Sequence, residues 1–162
     1  MPSPREASER PLGAYAVLTG AHVAGITAAA AAIERRRRLP EKIDWQDLAL
    51  ISLATQKLAR DITHDKVTAW IRAPFSSYQG KGQPGEEESV VVGHGMRRAI
   101  GQLLVCPFCI GEWIGAGFVI SHTLAPRRTR FVATILAVHG LADFLQIAYV
   151  AAAERRVPRA TA

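Results

Sequence analysis

The chain has 162 residues, of which 49% are hydrophobic and 21% charged, and its formal net charge is +6. The charged residues are clustered between long apolar runs, a separation typical of membrane proteins and unlike soluble helices, in which charged and apolar residues interleave. Nucleic acid is not an expected partner, because the arginines flank the apolar runs, as membrane topology and anionic lipid favour, and no nucleic-acid-reading motif accompanies them.

The first apolar run, residues 12–33, contains 22 residues without a charge and only one strongly polar side chain, His22. A helix of about 20 apolar residues is long enough to cross a bilayer. A cleaved signal peptide is disfavoured, because residues 1–10 carry no net positive charge and the run exceeds a signal core in length. Residues 1–33 are therefore predicted to form an N-terminal transmembrane anchor, followed by a basic cluster at 35–38.

The middle segment, residues 34–98, is predicted to be cytoplasmic or interfacial. Leu48, Ile51, Leu58 and Ile62 recur at helical spacing, but charged residues interrupt every long apolar stretch. Residues 44–72 are therefore interpreted as one or two amphipathic helices, lying on the membrane surface or packed under the bundle. Residues 79–95 are interpreted as a flexible Gly-rich loop. Its G-x-G-x-x-G at 80–85 does not indicate a dinucleotide site, because no strand is predicted before it and a proline interrupts it.

Two further apolar runs, 106–124 and 131–153, are separated by a short basic turn. They predict a transmembrane helical hairpin over residues 99–153, followed by a basic tail at 154–162. The predicted fold is thus an all-α integral membrane helical bundle with three transmembrane helices and an amphipathic, interfacial segment. If the chain crosses the membrane three times, the side with the middle segment and the C-terminus carries fifteen Lys and Arg residues and the other side carries five. Because positive residues accumulate on the cytoplasmic side, this predicts a bacterial cytoplasmic membrane protein with its N-terminus outside and its middle segment and C-terminus cytoplasmic.

Cys106-Pro107-Phe108-Cys109 contains the only two cysteines of the sequence. A proline at the first helical position makes Cys106 a candidate N-cap, and both sulfurs share one helix face. Three interpretations stay open: thiol–disulfide exchange, metal binding, and packing of two small residues. Zinc is the candidate metal, but two thiols supply only half of a structural site, which His64, His94 or a second copy of the chain would have to complete. No other cofactor is expected.

Gly111 and Gly115 form a G-x-x-x-G ridge, which is typical of a close contact between transmembrane helices. Glu112 lies less than two turns into the same predicted helix, near the membrane interface. His139 and Asp143 lie four residues apart in the last span, where a charge is costly without a partner. The candidate partners of Asp143 are His139, His22 and an arginine of another subunit. The pair is interpreted either as a proton or ion relay or as a polar contact that fixes helix register.

Four short motifs occur in a fixed order along residues 44–153: residues 54–58 (ATQKL), 65–68 (DKVT), 72–75 (RAPF) and 106–113 (CPFCIGEW). In this ordered set the chain resembles a family of small bacterial membrane proteins designated domain of unknown function thirteen-sixty, some members of which are labelled sporulation proteins. The resemblance implies an integral membrane protein and carries over no catalytic role. Members often have Glu where Gln102 stands here.

The sequence therefore predicts a non-enzymatic assembly or accessory subunit, with no catalytic residue assigned. It would pack through its Gly-rich helix faces, in contact with the lipid bilayer, as a homo-oligomer or within a larger membrane complex. The alternative is a membrane dithiol protein that uses Cys106 and Cys109 for thiol–disulfide exchange or metal binding.

Overall fold

A computed structural model describes residues 10–36 and 39–156 of the chain. The described elements, in chain order, are α1 (Leu12–Arg35), α2 (Trp45–His64), α3 (Ala69–Arg72), β1 (Ser76–Lys81), β2 (Glu87–Val91), α4 (Gly95–Leu104), α5 (Pro107–Leu124) and α6 (Pro126–Arg156). The helical fold class predicted from the sequence is confirmed. The predicted basic tail lies almost entirely outside the described residues, as does the start of the N-terminal segment.

Helix α2 is the centre of the structure, with α5 and α6 packed along its length. At one end Asp47 of α2 binds Arg130 of α6, and ten residues further along Lys57 binds Asp143. The partners advance in the same direction on both helices, so α2 and α6 run parallel. The shared core contains Ile51 and Ala54 of α2, together with side chains of α5 and α6.

The Gly-rich face of α5 lies against α2. A Cβ built at Gly111 would lie 3.9 Å from Cβ of Ala59, and one built at Gly115 would lie 3.6 Å from Cγ2 of Thr55. The order of these contacts makes α2 and α5 antiparallel. Gly140 of α6 faces α2 as well, since a Cβ there would lie 3.4 Å from Cβ of Lys57. Small residues on α5 and α6 thus allow close approach of the central helix.

Helix α2, part of the predicted interfacial segment, packs alongside α5 and α6, because its apolar positions contact both helices and its charged residues pair with charges on α6. Its expected place on the membrane surface or under the bundle stays a prediction. Charged residues that find partners across a helix interface do not require a water-exposed face.

The apolar surface of the bundle points outward. By length and composition, α1 and residues 126–153 of α6 are each able to cross a membrane, and α4 and α5 would add a third span if this pair, bent by 80°, is counted as one. Only 6% of the apolar stretch of α1 and 17% of that of α6 are buried inside the protein. Apolar helices outside and paired charges inside are the arrangement expected in lipid.

Residues 79–95 are not a flexible loop, as predicted, but contain most of a β-hairpin. Strands β1 and β2 pair antiparallel, from Ser76 opposite Val91 to Lys81 opposite Glu87. Gly85 adopts φ +88° near the turn, a conformation that favours glycine. The G-x-G-x-x-G thus does follow a strand, but it leads into a second antiparallel strand rather than a helix, so the rejection of a dinucleotide site is unaffected.

Arg72 attaches this hairpin to the bundle. Its side chain is 1% exposed, and its guanidinium donates to the backbone carbonyls of Ile62 (2.8 Å) and Asp65 (3.1 Å) and to the carboxylate of Glu87 (3.1 Å). One side chain therefore joins the C-terminal end of α2 to strand β2. A second connection is the bidentate pair of Arg60 with Glu86.

Helix α1 runs parallel to α5. Near its start the hydroxyl of Tyr15 donates to the side-chain oxygen of Gln102 in α4, and two turns later the ring of His22 lies 4.6 Å from that of Trp113. The beginning of α1 therefore lies at the same end of the bundle as the dithiol and the hairpin. The predicted orientation in the membrane, with the N-terminus outside and the middle segment cytoplasmic, stays a prediction.

Candidate functional site

A cleft of about 570 Å³ opens between α1, α4 and α5 at the dithiol end of the bundle. We call it the dithiol cleft. It brings together three residues singled out in the sequence, His22, Cys109 and Glu112, with Gln102 of the family resemblance. Its full lining consists of Tyr15, Leu18, Thr19, His22, Ala99, Gln102, Leu103, Phe108, Cys109, Glu112 and Trp113.

The local sequence around Cys106 produces the cleft. Pro107 opens α5, and the sulfur of Cys106 caps the helix by accepting the backbone N–H of Cys109 at 3.3 Å. Because α4 ends at Leu104 and meets α5 at 80°, it crosses the end of the bundle and covers the first turns of α5. Helix α1 closes the third side through the hydrogen bond of Tyr15 to Gln102.

The two cysteines are free thiols whose sulfurs lie 2.6 Å apart. Cys109 is exposed at the cleft, whereas Cys106 is half-buried. Within residues 10–36 and 39–156, no three His, Cys, Asp or Glu side chains lie close enough together to hold a metal ion. Neither His64 nor His94 lines the dithiol cleft, so the described residues offer zinc only the two thiols.

Glu112 is the one acidic side chain among the described residues that line the cleft. It is exposed, and the structure gives it no ion pair within the described part of the chain. The aromatic rings of Tyr15, Phe108 and Trp113 stand around the same space. The cleft is thus mostly apolar and aromatic, with one carboxylate that has no ion-pair partner among the described residues.

A second polar site, the Lys57 cluster, consists of Lys57, Asp61 and Asp143. The ammonium of Lys57 lies 2.9 Å from Asp61 and 2.6 Å from Asp143. The predicted partners of Asp143 were His139, His22 or an arginine of another subunit, and the structure shows Lys57 in that role instead. His139 is exposed on the outer surface of α6, and His22 contacts Trp113.

A third polar space, of about 630 Å³, lies between the end of α2 and the β-hairpin. His64 lines it, and its Nδ1 lies 2.6 Å from Oγ1 of Thr63. Asp61 and His64, three residues apart on α2, do not converge on one site, because Asp61 pairs with Lys57 while His64 faces the hairpin.

The sequence identifies the polar positions of the sites but not the residues that pair with them. Lys57 only interrupts an apolar pattern, and nothing in the sequence marks Tyr15 as a contact residue. Spacing within one helix gives no signal for either contact, because the paired residues are separated by 86 and 87 positions. A charge in an otherwise apolar span predicts that a partner exists, but it does not say which residue supplies it.

Comparison with known proteins identifies the family of this chain. The family described as "Protein of unknown function (DUF1360)" matches residues 50–149, and the chain belongs to this family. It is also similar to the sporulation protein YjcA of Bacillus subtilis (strain 168), with 31% identity over 107 residues, covering 64% of this chain and 91% of that protein. No solved structure matches. The family match covers α2 from residue 50 onward, then α3, the β-hairpin, α4, α5 and α6 as far as residue 149, whereas α1 precedes it.

Proposed function

We propose that this chain is a non-enzymatic integral membrane protein that assembles with itself in the bilayer. The single observation that supports this most strongly is the reversed polarity of the bundle. Lys57 and Asp61 of the central helix are 14% and 22% exposed and pair with each other and with Asp143, whereas Val138, Leu145 and other large apolar side chains of α6 are exposed. Water would not favour such a surface, and lipid would.

Four crossings are proposed, by α1, α2, α5 and α6 in alternating directions, with α4 and the β-hairpin at one end. Counted over the terminal turns of these helices and the segments that join or flank them, ten Lys and Arg residues would lie on the side of the dithiol end and eight on the opposite side. This small excess favours a cytoplasmic dithiol end in the bacterial cytoplasmic membrane. Residues 65–106 and the C-terminus keep the side predicted for them and the N-terminus joins them, whereas residues 39–44, also predicted to be cytoplasmic, would lie outside.

The proposed assembly surface is the outer face of α6. The Gly-rich ridge of α5, which was predicted to make intermolecular contacts, already packs on α2 within one chain. On α6, His139, Asp143 and Gln146 follow one another at spacings of four and three residues, flanked on the same face by Val132 and Val150. This is the heptad spacing of a helix–helix seam.

Polar side chains at this depth are stabilised when a neighbouring helix satisfies them. His139 and Gln146 are exposed, and the side chain of Asp143 is 45% exposed despite its bond to Lys57. The imidazole and carboxamide donate as well as accept hydrogen bonds, and the Asp143 carboxylate accepts them, so that this face is complementary to a second copy of itself. A parallel pair of α6 helices would place these groups within reach of one another.

The relative in Bacillus subtilis is named a sporulation protein. By that similarity, the proposal extends to a membrane assembly that takes part in spore formation. The name states neither a partner nor a reaction, and the proposal adds neither.

The test is the oligomeric state in a bilayer, measured by single-molecule photobleaching of the labelled protein in dilute liposomes. The wild type should be dimeric or larger, and His139→Leu/Gln146→Leu should shift it to monomers. Leu145→Ala, on a different exposed face of α6, is the control and should leave the oligomer intact. A monomeric wild type, or equal behaviour of the two variants, would refute assembly through this face.

The dithiol remains a second candidate function, favoured by the 2.6 Å separation of two free sulfurs at the mouth of a cleft. Thiol trapping in isolated membranes, with and without a chelator, tests it. Cysteines whose oxidation state follows the redox potential of the medium, or zinc bound in stoichiometric amount, would support this function. Unreactive thiols together with a fully functional Cys106→Ser/Cys109→Ser variant would exclude it.

A further inference from the structure

We infer that the dithiol cleft binds the amine head group of a membrane lipid, with the ammonium held by Glu112 and the surrounding aromatic rings. The inference does not depend on self-assembly, because the cleft is built within one chain. It concerns residues of α1, α4 and α5 that the Lys57 cluster and the outer face of α6 do not use.

The size and lining of the cleft are those of a ligand site. Its volume of about 570 Å³ falls in the range of pockets that hold small molecules, and such pockets commonly lie between helices. Leu18, Leu103 and Trp113 give it an apolar wall, and a few polar groups converge on one region. The hydrogen bond between Tyr15 and Gln102 and the ring contact between His22 and Trp113 join three helices around it.

The charge of the lining selects a cation. Glu112 is acidic, and no Lys or Arg lies among the described lining residues. An unpaired carboxylate near lipid is stabilised by a positive partner. Tyr15, Phe108 and Trp113 add aromatic faces, which attract ammonium groups by about 0.5–2 kcal/mol each. A phosphate-only or other anionic head group would meet Glu112 with the same sign of charge.

The depth of the cleft favours a lipid over a soluble amine. Tyr15 lies three residues into α1 and Glu112 five residues into α5. At a rise of about 1.5 Å per residue, both side chains lie within about 8 Å of the helix starts, which is head-group depth for a spanning helix. If the ammonium group of a lipid bound Glu112, the acyl chains of the same lipid would lie along the exposed apolar surface of α1, which contains Val17 and Val23.

Gln102 supplies a complementary donor. Its side-chain oxygen accepts the Tyr15 hydroxyl, so its NH₂ group is the part left to donate toward the cleft. An ethanolamine phosphate head group carries an ammonium and a phosphate a few bonds apart. The carboxylate of Glu112 suits the first and the amide of Gln102 suits the second.

The test uses liposomes of phosphatidylethanolamine and phosphatidylglycerol in equal amounts. The full chain is reconstituted, extracted in mild detergent, washed, and analysed by native mass spectrometry for the lipids that remain bound. Wild type should retain phosphatidylethanolamine over phosphatidylglycerol by about fivefold or more, which corresponds to about 1 kcal/mol. Glu112→Gln should bring that ratio close to one.

Glu88→Gln is the matched control, because it makes the same change at an exposed carboxylate of the hairpin, outside the cleft. It should keep the wild-type ratio. Equal ratios in wild type and Glu112→Gln would overturn the inference. Displacement of the bound lipid by millimolar free ethanolamine would overturn the choice of a lipid over a soluble amine.

A second measurement locates the lipid independently of Glu112. In a Trp45→Phe/Trp70→Phe variant, the remaining Trp113 reports on the cleft. Phosphatidylethanolamine with brominated acyl chains should quench its fluorescence more strongly than brominated phosphatidylglycerol at the same mole fraction. Equal quenching by the two lipids would contradict an amine-selective site, whatever the oligomeric state of the protein.

Discussion

Replacing Lys57 with Met should destabilise the bundle through the two carboxylates it leaves behind. Lys57 lies between Asp61 at 2.9 Å and Asp143 at 2.6 Å, with its side chain 14% exposed. Removing one partner of a fully buried pair costs about 3–5 kcal/mol. Here Asp61 is 22% and Asp143 45% exposed, and partial solvation of the carboxylates reduces the expected loss to about 2–3 kcal/mol.

The measurement is thermal unfolding of the detergent-solubilised chain, followed by tryptophan fluorescence. A loss of that size should lower the midpoint by about 5–10 °C for a chain of this length. Asp143→Leu removes one of the stranded charges. In the Lys57→Met/Asp143→Leu double variant, the two losses should therefore fail to add, with a coupling of about 1 kcal/mol or more. Lys81→Met, at an exposed position of the hairpin, serves as the control and should change stability by less than about 0.5 kcal/mol.

The double-mutant cycle separates the two placements of α2. If α2 lay on the membrane surface, as the sequence predicts, Lys57 would contact lipid head groups and would not sense Asp143. Losses that add within about 0.5 kcal/mol would show that the residues do not interact and would refute the reasoning.

Two other substitutions test separate parts of the structure. Gly101→Ala places a Cβ 2.6 Å from Cγ1 of Val91, and this clash should cost about 1–3 kcal/mol in unfolding experiments, whereas Gly117→Ala, with no atom within 4 Å, should be neutral or stabilising. Arg72→Lys keeps the charge but loses the planar set of donors that joins α2 to β2, so it should cost about 2 kcal/mol and speed hydrogen exchange in the hairpin, and unchanged exchange would count against this role.

The apolar helices follow from the sequence because lipid-facing helices are long and uninterrupted. The predicted run 12–33 became α1 (Leu12–Arg35), and 106–124 became α5 (Pro107–Leu124), where the proline fixes the first helical position. The run 131–153 lies inside α6, which continues through the basic turn as far as Pro126. Local composition determines each of these boundaries.

The β-hairpin was missed although its signals are present. Val90, Val91 and Val92 are β-branched residues with high strand preference, and Pro84-Gly85 is a turn signal between the two strands. The glycines and the acidic run at 86–88 are typical of a flexible loop, and for this reason the prediction was wrong. In the structure two of those acidic side chains are paired with arginines, Glu86 with Arg60 and Glu87 with Arg72.

The position of α2 and the dithiol cleft could not be predicted from spacing, because both depend on contacts between distant segments. The hydrophobic pattern of α2 identified its apolar face correctly, and Ile51 is indeed buried. The pattern does not report that Arg130 and Asp143 of α6 neutralise the charges on its flanks. In the same way, the cleft around Glu112 and Cys109 is completed by α1, a helix that is far from both residues in the sequence.

The most direct test of the account is whether α2 lies against α5 inside the membrane. Cβ of Ala59 lies 3.9 Å from the Cβ position of Gly111, within the range that a disulfide spans. In a Cys106→Ser/Cys109→Ser background, Ala59→Cys/Gly111→Cys should form an intramolecular disulfide in intact membranes on mild oxidation, seen as a mobility change that a reductant reverses. Free thiols after oxidation of the membrane-bound protein, or recovery of the chain from the aqueous fraction without detergent, would contradict a polar central helix enclosed by lipid-facing ones.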